Sequence, residues 1–345
     1  MNRTFRLTSL FFRRLHELGL PRELLFARAG LPTELLGQDP VAVTTQQLFE
    51  LWRAIGDSSD NPAIGLEIGT EQRIERYDPV AMTGLYARFF GDALTRLARY
   101  KQLTCPEEVQ IVPDGDACIV QFGWPLATQA EPPVLVDVCF AWVLTIGRRG
   151  TATSLSPRRV ELRHQTTHRE MYEAYFQCAV HAGASRNALI FDTVDLDRPF
   201  VTHNPELLRL LTPHLDAELS QYVDARSTSD RVKAVLKQLL VGQRPAMRDV
   251  ARDLAVSPRT LQRRLNDEGV SFQQLLLDAR RELARHYLLQ PSLELNEAAY
   301  LLGYGDPNSF FRAFHHWEGT SPGQWRAVHM EAPRIEASAP SRAEA

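Results

Sequence analysis

The sequence predicts two domains: an α+β N-terminal domain with a small sheet, and an all-α C-terminal domain of two helix-turn-helix motifs bridged by a linker helix. Three observations carry this. One unit occurs twice between Met247 and Phe314, each time as a helix, a tight turn and a second helix. Residues 1–104 space their apolar side chains at helical period, and strand-like alternation enters only between Glu108 and Val194. A length of 345 residues with 44% hydrophobic side chains is enough for two packed cores.

The duplication is legible residue by residue. Ala251, Leu254 and Val256 return 48 positions later as Ala299, Leu302 and Tyr304. Leu261, Arg263 and Leu265 return 49 positions later as Phe310, Arg312 and Phe314, so the second turn, with Gly303 and Gly305, has gained one residue. In the first copy Ala251 is small where two helices cross, Val256 is buried in the turn, and Ser257 caps a second helix that opens with Pro258. In the second copy Asp306 caps and Pro307 opens. Between Ser257 and Leu265 stand three arginines and no acid, which suits a helix facing phosphates and guanine edges in a DNA major groove. The plainer alternative for one copy is a helical hairpin with a solvated basic face; two copies in register favour DNA.

Between the copies, Gly269 ends the first recognition helix in a left-handed position. Ser271 and Gln274 predict a capping box. A helix then runs through Phe272, Leu275, Leu276, Ala279, Leu283, Tyr287 and Leu288 to Pro291. About 18 residues at 1.5 Å each make a rod of roughly 27 Å. With its flanking turns it would set the two recognition helices about 34 Å apart, one turn of B-DNA, so that one chain grips two successive major grooves.

These residues resemble the DNA-binding domain of the AraC/XylS family of bacterial transcription regulators. The matching runs are Val-Ser-Pro-Arg-Thr-Leu-Gln-Arg-Arg-Leu, Glu-Gly-Val-Ser-Phe, Arg-Arg-Glu-Leu-Ala, Leu-Gly-Tyr, Phe-Phe-Arg-Ala-Phe and Thr-Ser-Pro-Gly-Gln-Trp-Arg, in that order from about Ser229 to Arg326. The resemblance implies base contacts from Arg259, Gln262 and Arg263 in the first motif and from Asn308, Ser309 and Arg312 in the second, with Ser257 and Asp306 as helix caps beside the DNA. Ala246 and Glu294 depart from the Ser or Thr that the family often has as a cap, so both supporting helices are expected to fray at their starts.

Formal net charge is −3, too small to argue for a partner. Its distribution says more: residues 229–330 hold 14 Lys and Arg against 11 Asp and Glu, the surplus a DNA-binding half needs. Cys105, Cys118, Cys139 and Cys178 show no metal-binding spacing and sit among apolar neighbours, as reduced thiols of a cytoplasmic protein would. Arg13 and Arg14 interrupt the only apolar run near the N-terminus, and no stretch approaches the roughly 18 apolar residues of a membrane span. The expected location is therefore the cytoplasm, on the nucleoid when DNA is bound, with no membrane association.

In the N-terminal part, helices are expected over Leu7–Leu18, Pro21–Ala29, Thr45–Ile55, Pro62–Ile68, Pro79–Phe90 and Asp92–Leu103. Glu108–Val112 and Ala117–Phe122 read as a hairpin with Asp-Gly at its turn. Pro132–Ile146, apolar on nearly every side, reads as a buried central helix, with a buried strand as the alternative. Arg158–Arg163 and Ala188–Val194 read as strands with a helix over His168–Ala179 between them. This order resembles the sensor domain of the AraC-type subgroup that includes ornithine-utilisation and quorum-linked regulators, on Ala93-Leu94 with Leu97 to Tyr100, Pro157 to Leu162, Tyr175-Phe176, and Asn187 to Phe191 with Pro199.

Asn204-Pro205 and Thr212-Pro213 read as two helix starts. Leu207, Leu211, Leu215, Leu219 and Val223 step by four across them and fit either a stripe on the domain's own core or a dimer seam. The expected bounds are an effector-sensing and dimerisation domain over 1–223, a linker over 224–230, a DNA-binding domain over 229–328 with motifs at 247–268 and 295–318, and a disordered tail over 331–345. Trp142, Arg148, His164, Tyr172 and Tyr175 are the candidate effector-pocket residues, though aromatics on apolar faces are usually core and a paired arginine at a helix end is usually solvated. His164 and His168 lie four apart across a strand-to-helix turn, so no metal site is expected, and no cofactor motif is present.

The function implied is a sequence-specific transcription regulator, an activator, with double-stranded promoter DNA, RNA polymerase, a small-molecule effector and a second copy of itself as partners. The alternative is an enzyme or DNA-repair protein carrying an AraC-like targeting module. Repair alkyltransferases of that kind bring a cysteine zinc cluster that this sequence lacks, and no nucleophile or phosphate-loop motif stands in residues 1–215.

Overall fold

The computed structural model describes residues 4–71, 73–105, 107–124, 127, 129–224, 227–240, 242–288 and 293–330. The chain divides into two compact units, Met1–Tyr222 and Val223–Ala345.

The first unit opens with a strand, β1 (Thr4–Leu7), then α1 (Ser9–Glu17) and α2 (Arg22–Arg28). β2 (Val41–Thr44) pairs antiparallel with β1, from Thr4 opposite Thr44 to Leu7 opposite Val41. The expected helix from Leu7 thus begins two residues late, and Leu7 belongs to a strand. Four residues carry too short an alternation to show against a helical period, and the partner strand is distant in sequence. α3 (Thr45–Ser58) starts with a complete capping box: Thr44 Oγ1 accepts from Gln47 N–H at 3.2 Å and Gln47 Oε1 from Thr44 N–H at 2.9 Å. α4 (Ile64–Gly69), α5 (Pro79–Leu85) and α6 (Phe90–Tyr100) follow, so the helix expected to reach Phe90 stops at Leu85 and Phe90 opens the next one.

β3 (Glu108–Asp114) and β4 (Ala117–Gly123) form the hairpin. Its register pairs Asp114 with Ala117, so the two-residue connection is Gly115-Asp116, one step beyond the expected Asp-Gly. Gly115 takes φ +61° at the first connecting position, as a type II′ turn demands. The central element is helical: α7 (Pro133–Thr151). It lies between two apolar clusters, giving Val136, Phe140, Val143 and Leu144 to one and Leu135 and Cys139 to the other. That is why its sequence is apolar on nearly every side. Among the described residues, β5 (Arg159–Leu162), β6 (Ala179–Ala182) and β7 (Ala188–Asp192), with α8 (Arg169–Phe176) between β5 and β6, complete a five-stranded sheet of order β3-β4-β7-β5-β6, in which β5 and β6 run parallel and the other neighbours antiparallel. The helix expected to continue to Ala179 ends at Phe176, and β6 takes over.

After α9 (Thr193–Leu196), the two expected helix starts prove to be one helix, α10 (Pro205–Asp224), with Pro213 inside it. Asn204 Oδ1 caps it, accepting from the N–H groups of Glu206 and Leu207 at 3.1 and 3.0 Å. Leu215 is buried and Leu219 packs on the same cluster as α7, so this part of the leucine stripe faces the unit's own core.

The second unit is helical: α11 (Thr228–Leu239), α12 (Met247–Asp253), α13 (Pro258–Asp267), α14 (Phe272–Leu288), α15 (Leu295–Leu301), α16 (Pro307–Glu318) and α17 (Pro322–Met330). α14 is the rod, 17 residues long. Val232, Leu236, Val250, Leu261, Leu265 and Ala279 form one core on it, and Ala284, Leu288, Phe310, Phe314 and Trp325 form another. Much of the expected 224–230 linker is helix end or helix start, with residues 225 and 226 outside the described residues. The expected closure of the rod at Pro291 and the 331–345 tail also lie outside them. Among the described residues, no helix is long and apolar enough to cross a membrane.

Candidate nucleic-acid interface

The two turns share one backbone design. In the first, Val256 N–H donates to the Ala251 carbonyl at 2.9 Å and Ala255 N–H to Arg252 at 3.0 Å. In the second, Tyr304 N–H donates to Ala299 at 3.1 Å and Gly303 N–H to Tyr300 at 2.9 Å. These are the paired bonds of a Schellman ending. Both require a left-handed residue, and it is Ala255 at φ +53° in one copy and Gly303 at φ +70° in the other. The alanine is strained there. The glycine is obligatory for a further reason: a Cβ at Gly303 would overlap the Gln243 carbonyl oxygen.

Capping then sets each following helix. Ser257 Oγ accepts from Thr260 N–H at 3.1 Å with Pro258 in the first turn. Asp306 Oδ1 accepts from Ser309 N–H at 2.9 Å, and its Oδ2 from the Ser309 hydroxyl at 2.6 Å. The Ser309 bonds hold the Asp306 carboxyl below the usual carboxylate range, so it stays ionised at the positive end of α16. Ala246 offers no side-chain cap to α12, but the Asp249 carboxylate accepts from its N–H at 3.0 Å, which secures half of that start. Glu294 makes no capping bond to α15. At the head of α14, Gln274 N–H donates to Ser271 Oγ at 3.1 Å, whereas the Gln274 side chain turns forward to Asp278 at 3.0 Å. The expected capping box is therefore half made.

Each capped helix buries one face and leaves the other open. Leu261 and Leu265 of α13 are fully buried, as are Phe310 and Phe314 of α16. Arg259 and Arg263 are exposed, and Gln262 is half-buried with its amide donating to Asn266 at 2.8 Å. Arg259, Thr260, Gln262, Arg263 and Asn266 line one shallow groove of about 400 Å³. On α16, Asn308 and Arg312 are exposed, and Arg312 Nη2 donates to Ser309 Oγ at 3.2 Å. Ser309 is thus shared between its cap and Arg312. Neither Arg259 nor Arg312 is packed inside the fold.

Of the five candidate pocket residues of the first unit, Trp142, Tyr172 and Tyr175 pack on one apolar cluster. Tyr172 is buried, and its hydroxyl donates to Asp137 Oδ2 at 2.9 Å. The His164 ring lies 6.2 Å from that of Tyr172, and His164 Nε2 has no hydrogen-bond partner among the described residues. Arg148 spends its donors on the carbonyls of Leu155 and Tyr175, both at 2.9 Å, with Tyr175 also beneath its guanidinium. It is thus a half-buried structural tie, not the solvated helix end the sequence suggested. The Tyr175 hydroxyl meets Thr70 Oγ1 at 2.5 Å. Trp142 lies under the Lys101 ammonium at 3.9 Å.

Sequence reading missed Asp137 and Arg280. Asp137 was detectable as the one acid inside the apolar run of α7. Arg280 was detectable because it falls in register with Leu276 and Ala284 on the inward face of the rod.

Residues 19–200 match the family described as the arabinose-binding domain of AraC transcription regulator, N-terminal, and residues 250–327 match a helix-turn-helix domain. The HTH-type transcriptional regulator VirS of Mycobacterium tuberculosis is 28% identical over 322 residues, covering 91% of this chain and 93% of the relative. The ornithine utilization regulator of Pseudomonas aeruginosa is 26% identical over 319 residues, covering 92% and 93%. The solved structure of the transcriptional regulator CdpR from Pseudomonas aeruginosa aligns with 93% of this chain and 99% of its own, at 22% identity and a TM-score of 0.44. With an AraC-type N-terminal domain matched over more than half of its length and a helix-turn-helix match following, this chain belongs to the AraC family of DNA-binding transcription regulators.

Proposed function

We propose that α13 and α16 enter two successive major grooves on one side of promoter DNA. Arg259, Gln262 and Arg263 read bases in the first groove, and Asn308, Ser309 and Arg312 in the second. Ser257 and Asp306 hold the two helix starts beside the backbone. The observation that carries this is the matched pair of capped helices, each with a buried apolar face and an opposite face of arginine and amide or hydroxyl side chains. Arginine and asparagine or glutamine are the side chains whose geometry fits guanine and adenine edges.

Residues 1–223 act as the effector-sensing and dimerisation domain, 224–230 as the linker, and 229–328 as the DNA-binding domain. The match of residues 19–200 to a domain named for arabinose binding supports a small-molecule effector for that part. Effector binding shifts the population of chains able to engage DNA, and the bound protein activates by meeting RNA polymerase, in the cytoplasm. The test is selection of binding sites from random-sequence DNA by the full chain, followed by footprinting. Two protected major-groove segments about 34 Å apart on one face support the reading. Protection of a single segment overturns it.

A further inference from the structure

Arg280 sits where the period of α14 calls for an apolar side chain. Its neighbours on that face, Leu276 and Ala284, are buried, and Arg280 itself is only 9% exposed. A buried guanidinium is tolerated only when its donors are used. Nε donates to the Leu302 carbonyl at 3.0 Å and Nη2 to the Gly303 carbonyl at 3.2 Å. The guanidinium carbon stands 4.7 Å from the centre of the Tyr304 ring. Leu302, Gly303 and Tyr304 are the turn between α15 and α16. Helix geometry leaves the last carbonyls of α15 without partners, and its dipole favours a cation there. Gly242 N–H donates to the preceding carbonyl, Leu301, at 3.1 Å. Three successive carbonyls, the last of α15 and the first two of the turn, are therefore fixed from outside the motif.

The same stretch of rod divides its charges between the motifs. Glu282 meets Lys233 and Lys237 of α11 at 3.1 and 2.5 Å, on the side of the first motif. Arg281 and Arg285 meet Glu318 at the end of α16 at 2.8 and 2.9 Å, on the side of the second. Apolar packing alone lets helices roll on one another, because it is non-directional. A planar guanidinium bonded to two adjacent carbonyls sets rotation as well as distance. A roll of about 10° would move a tip about 10 Å away by roughly 1.7 Å, about half of the roughly 3.4 Å base step.

Resting on the two-groove reading above, we propose that Arg280 is the positioning residue that fixes the second reading helix on the rod and so sets the base-pair separation at which both helices engage together. Joint engagement multiplies affinity only when the geometry permits it. Arg280→Lys keeps the charge and the stem and loses the two-pronged donor.

The experiment uses the full chain and a site selected by the wild type. The panel comprises that site, versions with one or two base pairs inserted or removed between its segments, and a version with the second segment scrambled. Wild type should bind the intact site about a hundredfold more tightly than the scrambled one and lose most of that on a one-base-pair change. Arg280→Lys should lose about tenfold on the intact site, keep its affinity for the scrambled site, and tolerate one-base-pair changes with less than about threefold loss. Equal losses on intact and scrambled sites, or an unchanged spacing profile, would overturn the role of Arg280. Wild type indifferent to scrambling would overturn the two-groove reading and the proposal with it. If Arg280→Lys melts before it can be assayed, Tyr304→Leu, which removes the stacked ring, reads the same profile: a broadened profile supports the proposal and a wild-type profile overturns it.

Discussion

The Tyr172 hydroxyl donates to Asp137 Oδ2 at 2.9 Å, while Oδ1 of the same buried carboxyl has no hydrogen-bond partner among the described residues. Burial raises the Asp137 pKa from 3.8 to about 7, against the opposing pull of the Tyr172 hydrogen bond. The folded chain thus holds a proton that the unfolded chain has already released between those two values. Stability must fall as pH rises through that window, and the loss is complete above about 7. Asp137→Asn keeps the acceptor for Tyr172 and removes the titration. Followed by circular dichroism, its melting temperature should match wild type only below about pH 4 and exceed it by a growing margin up to about pH 7. Parallel profiles for the two proteins would show that Asp137 does not titrate in this range.

Arg263 and Arg312 lie on open helix faces, so truncating them leaves the core intact. Arg263→Ala and Arg312→Ala should each cost about 1–3 kcal/mol on the selected site and relax preference at one base position. Binding to selected and random DNA separates the outcomes. Equal losses on both would make these arginines phosphate contacts.

The two left-handed turn positions make opposite predictions. Gly303→Ala combines positive φ with a clash between the new Cβ and the Gln243 carbonyl. It should destabilise the DNA-binding unit by more than about 1 kcal/mol. Gly305, where an added methyl would meet nothing within 4 Å, should accept alanine within about 0.5 kcal/mol. Ala255→Gly should gain up to about 1 kcal/mol by relieving the strained backbone. Urea unfolding measures all three.

Ser257 supplies the one side-chain cap of α13. Ser257→Ala should cost about 1 kcal/mol of stability, and Ser257→Asp should restore most of it because aspartate caps equally well. If urea midpoints show no loss for alanine, the cap carries no stability in the folded chain.

Much of the DNA-binding unit was legible because its signals are local. A serine or aspartate before a proline, a glycine after the last turn and apolar residues at helical period each act within a few residues. The paired turns align from the amino-acid order alone. Where local signals were wrong, a distant partner decided. Thr212-Pro213 looks like a helix start, yet α10 runs through it, with Leu215 buried in the core of the first unit. Leu7 looks helical, yet Val41 pairs with it. Gln274, by contrast, loses its expected capping box to a near neighbour: Asp278, four residues on, takes its amide.

The duplicated motif, the open basic face of α13 and the apolar centre of the first unit follow from amino-acid order, since periodicity and capping are properties of neighbouring residues. The destinations of the buried charges emerge on folding: Arg148 and Arg280 go to backbone carbonyls, Asp137 to Tyr172. A buried polar group must find its partner wherever the chain has folded to supply one, and for Asp137 and Arg280 that partner stands tens of residues away.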